Sequence, residues 1–295
     1  MERRNSIDGL GAGVLVAFML FLAFNQIVIK FVNGGIQPVF FAGLRSLIGA
    51  ATLGGWMVWR KRPVRLGLDM AGPGIAIGLV FGTEFLLMFM ALDLTTVTRT
   101  AVLMYSMPVW LALAAHFLMP GERLGPVRVA GLAMAFAGVA LALSERPSGG
   151  VASLAGDLCA VGAAICWAGT ALLARATRLS RLRPDTQLLW QLVVSAPLLI
   201  GAAFFFGPFL RDLAPVHIAG LLFQGVIVAA LGYAFWYWLL SIYPAPGVAS
   251  FAFLTPVFGV ALGWMLMDEP VGRRLIGALV LVAVGIVLIN RPPKA

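Results

Sequence analysis

Of 295 residues, 61% are apolar and 11% charged, against roughly 45–50% and about 25% in soluble domains, so lipid is the natural solvent of this chain. The formal charge of +9 is dispersed in short clusters between apolar runs, which excludes the continuous basic face of a nucleic-acid-binding domain and marks the lysines and arginines as topology signals. Cys159 and Cys166 share one apolar run; two cysteines are too few for a zinc site and read as packing residues.

The first apolar run, 10–31, follows Arg3 and Arg4. It exceeds the roughly 7–15 residues of a secretory signal core and shows no clear small-residue cleavage site, so it is expected to remain as a span. Further runs at 38–59, 70–92, 100–119, 127–143, 154–173, 188–206, 216–240, 248–267 and 275–290 bring the expectation to ten transmembrane helices in an all-α membrane protein. Each is near the about 20 residues that a hydrocarbon core of about 30 Å demands. Short hinges at Gly121–Glu122 and Asp268–Glu269 divide the fourth span from the fifth and the ninth from the tenth.

With the N-terminus inside, fourteen basic residues face the cytoplasm: Arg3, Arg4, Arg60, Lys61, Arg62, Arg65, Arg123, Arg128, Arg175, Arg178, Arg181, Arg183, Arg291 and Lys294. Six face outward, Lys30, Arg99, Arg146, Arg211, Arg273 and Arg274, and Arg45 lies within the second span. The positive-inside rule then predicts a multi-pass protein of the inner (plasma) membrane with both termini cytoplasmic.

The second half of the chain repeats the first. Lys30 aligns with Arg175, Pro38 with Pro184 and Arg45 with Gln191; at a slightly larger offset Gly72 meets Gly220, Ala101 meets Ala249, and Pro108-Val109 meets Pro256-Val257. This divides the chain into five-helix repeats at 1–145 and 146–295. An odd number of spans per repeat forces the two copies to enter the membrane from opposite sides, the inverted arrangement of many secondary transporters.

Three stretches carry a family resemblance: FFAGLR at Phe40–Arg45; AVLMYSMPVW at Ala101–Trp110 followed by Gly121-Glu122; and GYAFWYWLLSIYPAPGVASFAFLTPVFGVALGWMLMDEP at Gly232–Pro270. On these the sequence resembles the EamA branch of the drug/metabolite transporter superfamily along essentially its whole length. The resemblance implies ten helices, a central cavity formed mainly by helices one to four and six to nine, and peripheral helices five and ten. It also implies metabolite export, with an amino-acid exporter favoured over the more distant sugar-phosphate and nucleotide-sugar carriers. The small multidrug relatives carry a membrane-embedded Glu in their first helix, whereas spans one and six here have no carboxylate in their middles.

Polar residues inside the spans are the candidate substrate ligands. Asn25 and Gln26 in span one, Gln191 in span seven and Gln224 in span eight are amides that must face protein or a wet cavity; of these, Asn25 and Gln191 are the preferred cavity residues because their helices match the central set that the resemblance implies. Arg45 offers a forked donor to a carboxylate, or a helix-to-helix tie. Glu84, whose charge costs roughly 2.5–3.5 kcal/mol to place in a span, can bind a substrate ammonium group or a coupled proton, or serve as a structural carboxyl; a pair with Arg45 is expected. Tyr233, Trp236 and Tyr237 share one helical face and, with Tyr105 and Trp167, form a candidate wall for an apolar or aromatic side chain or else an interfacial belt. Pro108 and Pro256 occupy equivalent places in spans four and nine, where they read as hinges or fixed bends. The glycine ridge Gly74, Gly78, Gly82 in span three reads as a close helix contact.

An intramembrane enzyme lacks its groups, since His116 and His217 are the only histidines and neither sits in a Ser/His arrangement. An ATP-driven pump lacks GxxxxGK[ST]. A channel could use the same polar helices, but inverted repeats with paired prolines favour alternating access. The expected protein is therefore a secondary exporter of small polar metabolites, amino acids foremost. No cofactor or metal is implied. Its expected partners are a small-molecule substrate and the bilayer, with proton coupling through Glu84 open and a monomer as the working unit.

Overall fold

The computed structural model describes residues 7–64, 66–119, 124–144, 153–243, 248 and 251–289. Apart from one isolated antiparallel bridge between Ile36 and Leu210, the regular elements among these residues are helical, in the order α1 (Gly9–Asn33), α2 (Pro38–Trp59), α3 (Ala71–Leu94), α4 (Val97–Met104), α5 (Met107–Leu118), α6 (Pro126–Ser144), α7 (Leu154–Ala176), α8 (Pro184–Ala203), α9 (Pro215–Leu222), α10 (Tyr233–Ile242), α11 (Leu254–Met267) and α12 (Arg273–Ile289). Between α9 and α10 the chain runs on as π-helical turns, Phe223–Gly232. Eight helical stretches among the described residues are long and apolar enough to cross a bilayer. Of the ten expected spans, the ninth is a shorter apolar helix of 14 residues, α11, and the tenth, α12, has 17.

Local sequence sets where these helices begin. Asp8 caps α1 by accepting from the Gly11 amide at 3.0 Å, and Pro38, Pro184 and Pro215 sit in the first turns of α2, α8 and α9, where a missing N–H costs nothing. The same chemistry corrects the expectation for the two paired prolines. The fourth span is not one kinked helix: it breaks at Tyr105–Ser106, and Pro108 lies in the first turn of α5. Pro256 likewise lies in the first turn of α11. Neither proline removes a bond from a continuous helix; each follows a break and starts the next segment.

The helix packing has an internal exchange symmetry. Taking α1 with α7, α2 with α8, α3 with the α9–α10 unit, α4–α5 with α11, and α6 with α12, the main contacts map onto one another. The α3–α7 contact has only a much smaller counterpart in α1 against α9 and the π-helical turns. That of α3 on α8 returns as the π-helical turns on α2, and α1 on α11 returns as α7 on α4 and α5, while α2–α8, α4–α11 and α6–α12 are their own counterparts. Small residues make the approaches close. Gly74, Gly78 and Gly82 of α3 face Trp190, Val194 and Leu198 of α8, and Gly131 of α6 meets Gly285 of α12 backbone to backbone, the small-residue packing that membrane helices use in place of a hydrophobic drive.

Candidate functional site

A cavity of about 220 Å³ lies between these helices. Its wall is built from Phe18, Met19, Leu22, Asn25 and Gln26 of α1, Arg45 of α2, Glu84, Phe85 and Met88 of α3, Met104 and Tyr105 at the α4–α5 break, and Trp167 of α7. Val228, Gly232, Tyr233 and Trp236 close it from the π-helical turns and α10, and Ala252 from the turn before α11. None of its described lining residues comes from α6 or α12, which pair with each other outside it.

The sequence-expected residues Asn25, Arg45, Glu84, Tyr105, Trp167, Tyr233 and Trp236 all meet in this wall. Gln191 does not. It is buried in α8, but the inward face of α8 is spent on packing against α2 and α3, so no described residue of that helix reaches the cavity. The side chain of Tyr237 lies outside the described residues.

Two charged side chains enter the cavity without forming an ion pair, which corrects the expected Arg45–Glu84 bridge. The Arg45 guanidinium, 2% exposed, is stacked at 4.1 Å over the Phe85 ring, and its Nε and Nη1 have no hydrogen-bond partner. The Phe85 ring holds the guanidinium through a cation–π contact, and Tyr233 is hydrogen-bonded to it. Glu84 accepts from the Thr170 hydroxyl at 3.2 Å and lies within electrostatic reach of Arg45. The two groups are thus buried near each other without a salt bridge, and the guanidinium keeps two nitrogens without a hydrogen-bond partner.

The amides are arranged unequally. Gln224 donates from Nε2 to the Asn25 side-chain oxygen, tying α1 to the π-helical turns, while the Gln26 side-chain oxygen has no partner. The aromatic part of the wall is equally ordered: Tyr105 meets Trp167 edge-on at 5.7 Å, and Phe18 stacks with Trp236 at 5.8 Å.

Sequence reasoning missed a second polar cluster, at the junction of α3 and α4. Lys30 Nζ donates to the Leu92 and Thr95 carbonyls at 3.0 and 2.6 Å, and the Glu269 carboxylate accepts from the Val97 and Thr98 amides at 2.7 and 2.8 Å. Arg99, expected to face the outer water, is 2% exposed. It donates from Nε and Nη2 to Asp157 of α7 at 2.9 and 2.6 Å and from Nη2 to the Ala142 carbonyl of α6 at 2.6 Å. Nearby, Arg211 donates to both carboxylate oxygens of Asp93 at 2.7 and 3.0 Å, a hydrogen-bonded pairing that raises its pKa further. The only sequence signal was the chemistry of a helix break: free carbonyls at one end and free amides at the next require a cation and an anion.

Comparison with known proteins supplies the family. Residues 9–144 and 154–291 each match the EamA-like transporter family. The chain is 29% identical over 290 residues, 96% of its length and 92% of the relative's, to the uncharacterized transporter YvbV of Bacillus subtilis. It is 25% identical over 282 residues, 91% of each chain, to a probable amino-acid metabolite efflux pump of Escherichia coli. A solved crystal structure, 22% identical, superposes with a TM-score of 0.64 over 93% of this chain and 94% of its own, and so shares its fold.

Proposed function

We propose, for a chain that belongs to the EamA-like transporter family, that it is an exporter of amino acids, aromatic and apolar ones included, working by alternating access through the central cavity. The observation that carries this reading is that Arg45, with Nε and Nη1 lacking partners, and Glu84 line one cavity without a salt bridge between them, with Tyr105, Trp167, Tyr233 and Trp236 in the rest of its wall. A forked cation suits a carboxylate and an anion suits an ammonium group or a proton, while the rings suit a variable side chain. Size points the same way. A cavity of about 220 Å³ falls below the roughly 300–1,000 Å³ of pockets for drug-sized ligands, which favours an amino acid over a nucleotide sugar or a bulky drug. The E. coli relative named as an amino-acid metabolite efflux pump supports the same class.

In this reading ten spans form two inverted five-helix repeats, 1–145 and 146–295, in the inner membrane, and the breaks before Pro108 and Pro256 act as hinges. Both termini are cytoplasmic: reporters fused after Arg62 and Arg183 should register inside, and one near Asn33 outside, and the reverse pattern would overturn the orientation. Function is tested by flux in proteoliposomes. Amino-acid transport should saturate and be accelerated by substrate on the far side, whereas non-saturating flux with single-channel currents would make the protein a channel. Saturable transport of sugar phosphates alone would replace the substrate class.

The aromatic wall makes a selective prediction. Tyr233→Ala or Trp236→Ala should weaken transport of large apolar amino acids roughly two- to tenfold more than of small ones, since an aromatic contact contributes about 0.5–1.5 kcal/mol beyond burial. KM values for phenylalanine and alanine check it, and an equal rise for both would assign these rings to packing.

A further inference from the structure

The polar cluster at the α3–α4 junction lies directly over one end of the cavity. Lys30 stands four residues beyond Gln26 on α1, Leu92 four beyond Met88 on α3, and Thr98 six before Met104 on α4. At about 1.5 Å per residue the cluster sits about 6–9 Å past the cavity wall on three helices at once. Thr95, Thr96, Thr98 and Arg99 are all buried, so this stretch of irregular backbone is sealed from solvent.

Its partners come from both halves of the chain. Lys30 belongs to α1, Asp157 to α7, and Glu269 to the connection after α11. Glu269 is placed there by the left-handed turn at Asp268, φ 52°, and by its own amide bond to the Gly263 carbonyl at 3.2 Å. Two of the contacts complement helix dipoles, a cation on the carboxyl end of α3 and an anion on the amino end of α4. Ser153 of the second half closes the remaining gap through its amide bond to the Leu94 carbonyl at 3.0 Å.

We propose that the α3–α4 junction is the closed gate on this face of the transport path, with the Glu269 carboxylate as its latch on the amino end of α4 and Lys30 as its counterpart on α3. The proposal rests on the transporter reading above. Opening this face separates α4 from the α11–α12 connection, and the four junction groups must then find water, which they reach only when the path above the cavity is wet. The charge-assisted bonds of Glu269 to two amides make the closed form the favoured one in the absence of substrate.

The test places a reporter thiol in the cavity wall, Met88→Cys, in a Cys159→Ala, Cys166→Ala background. A membrane-impermeant thiol reagent is applied separately to each face of oriented vesicles. Glu269→Gln and Glu269→Ala should raise the labelling rate from the α3–α4 face by about tenfold relative to the opposite face, the shift expected when one charge-assisted contact is lost. Lys30→Gln should shift the ratio the same way and carries the test should the Glu269 variants fail to insert. A labelling ratio unmoved by these substitutions, in inserted protein, when the unsubstituted chain transports saturably, overturns the gate while leaving the carrier reading standing. A shifted ratio when the unsubstituted chain shows no saturable transport supports the latch and overturns the carrier reading instead.

Discussion

Replacing Arg45 by Gln should lower the apparent affinity for amino acids roughly 10- to 150-fold, the effect of losing charged hydrogen bonds of about 1.5–3 kcal/mol. The expectation follows from a buried guanidinium with two unpartnered nitrogens, fixed in plane by Phe85. Arg45 lies near the buried Glu84 and is hydrogen-bonded to Tyr233, so membrane insertion and thermal unfolding are measured beside transport, and the affinity loss is read in variants that insert. Arg45→Lys should fall between, since an ammonium keeps the charge but loses the fork. Glu84→Gln gives the reciprocal pattern: it should spare substrates that carry a carboxylate but no ammonium group, and flatten the pH dependence of amino-acid transport. KM values for phenylalanine, its des-amino acid and its amide separate the two roles. Equal losses for all three in both variants would reduce Arg45 and Glu84 to structural groups.

The second large effect belongs to Arg99 and Asp157. Asp157→Ala should destabilise the protein by about 3–5 kcal/mol, because it leaves a fully buried guanidinium without its anion. The double substitution Arg99→Met, Asp157→Leu should recover most of that loss, since replacing both partners by apolar groups of similar volume removes the stranded charge. The part not recovered reflects the Ala142 carbonyl and the Thr95 hydroxyl, which lose their partners. Thermal unfolding in detergent of the parent, the two single variants and the double variant measures the coupling. Additive losses would show that the pair contributes no more than two independent residues.

The spans were legible because apolar run length is a direct consequence of bilayer thickness: α1, α2 and α3 fall within two residues of the runs read from sequence. Glu84 and Arg45 were legible for the related reason that a charge in an apolar run stands out by its cost. What is not legible sits where runs end. Lys30, Arg99 and Glu269 look like residues on the way to water, and only tertiary packing converts the α3–α4 junction into a buried site. Gln191 is expected in the cavity because its helix belongs to the central set that the family resemblance implies, whereas a central helix need not turn every polar residue inward once it is packed between α2 and α3. The paired prolines are legible in the sequence but their local effect is not, since whether Pro bends a helix or starts one depends on where the preceding segment stops.

The exchange symmetry of the helix contacts also bears on energetics. On the alternating-access reading, a molecule whose two halves make each other's contacts has two end states of nearly the same composition: swapping the roles of the halves rebuilds the same packing with the mouth on the other side. The energy of the matched contacts then cancels between them, and the large α3–α7 contact, whose counterpart is much smaller, does not. The resting population is set by the remainder, in which the charged grip around α3 and α4 is one large entry, and moving the balance from 99:1 to 1:99 takes only about 5.5 kcal/mol. Sequence changes confined to either end can therefore bias which face a carrier of this build presents at rest without touching its binding residues.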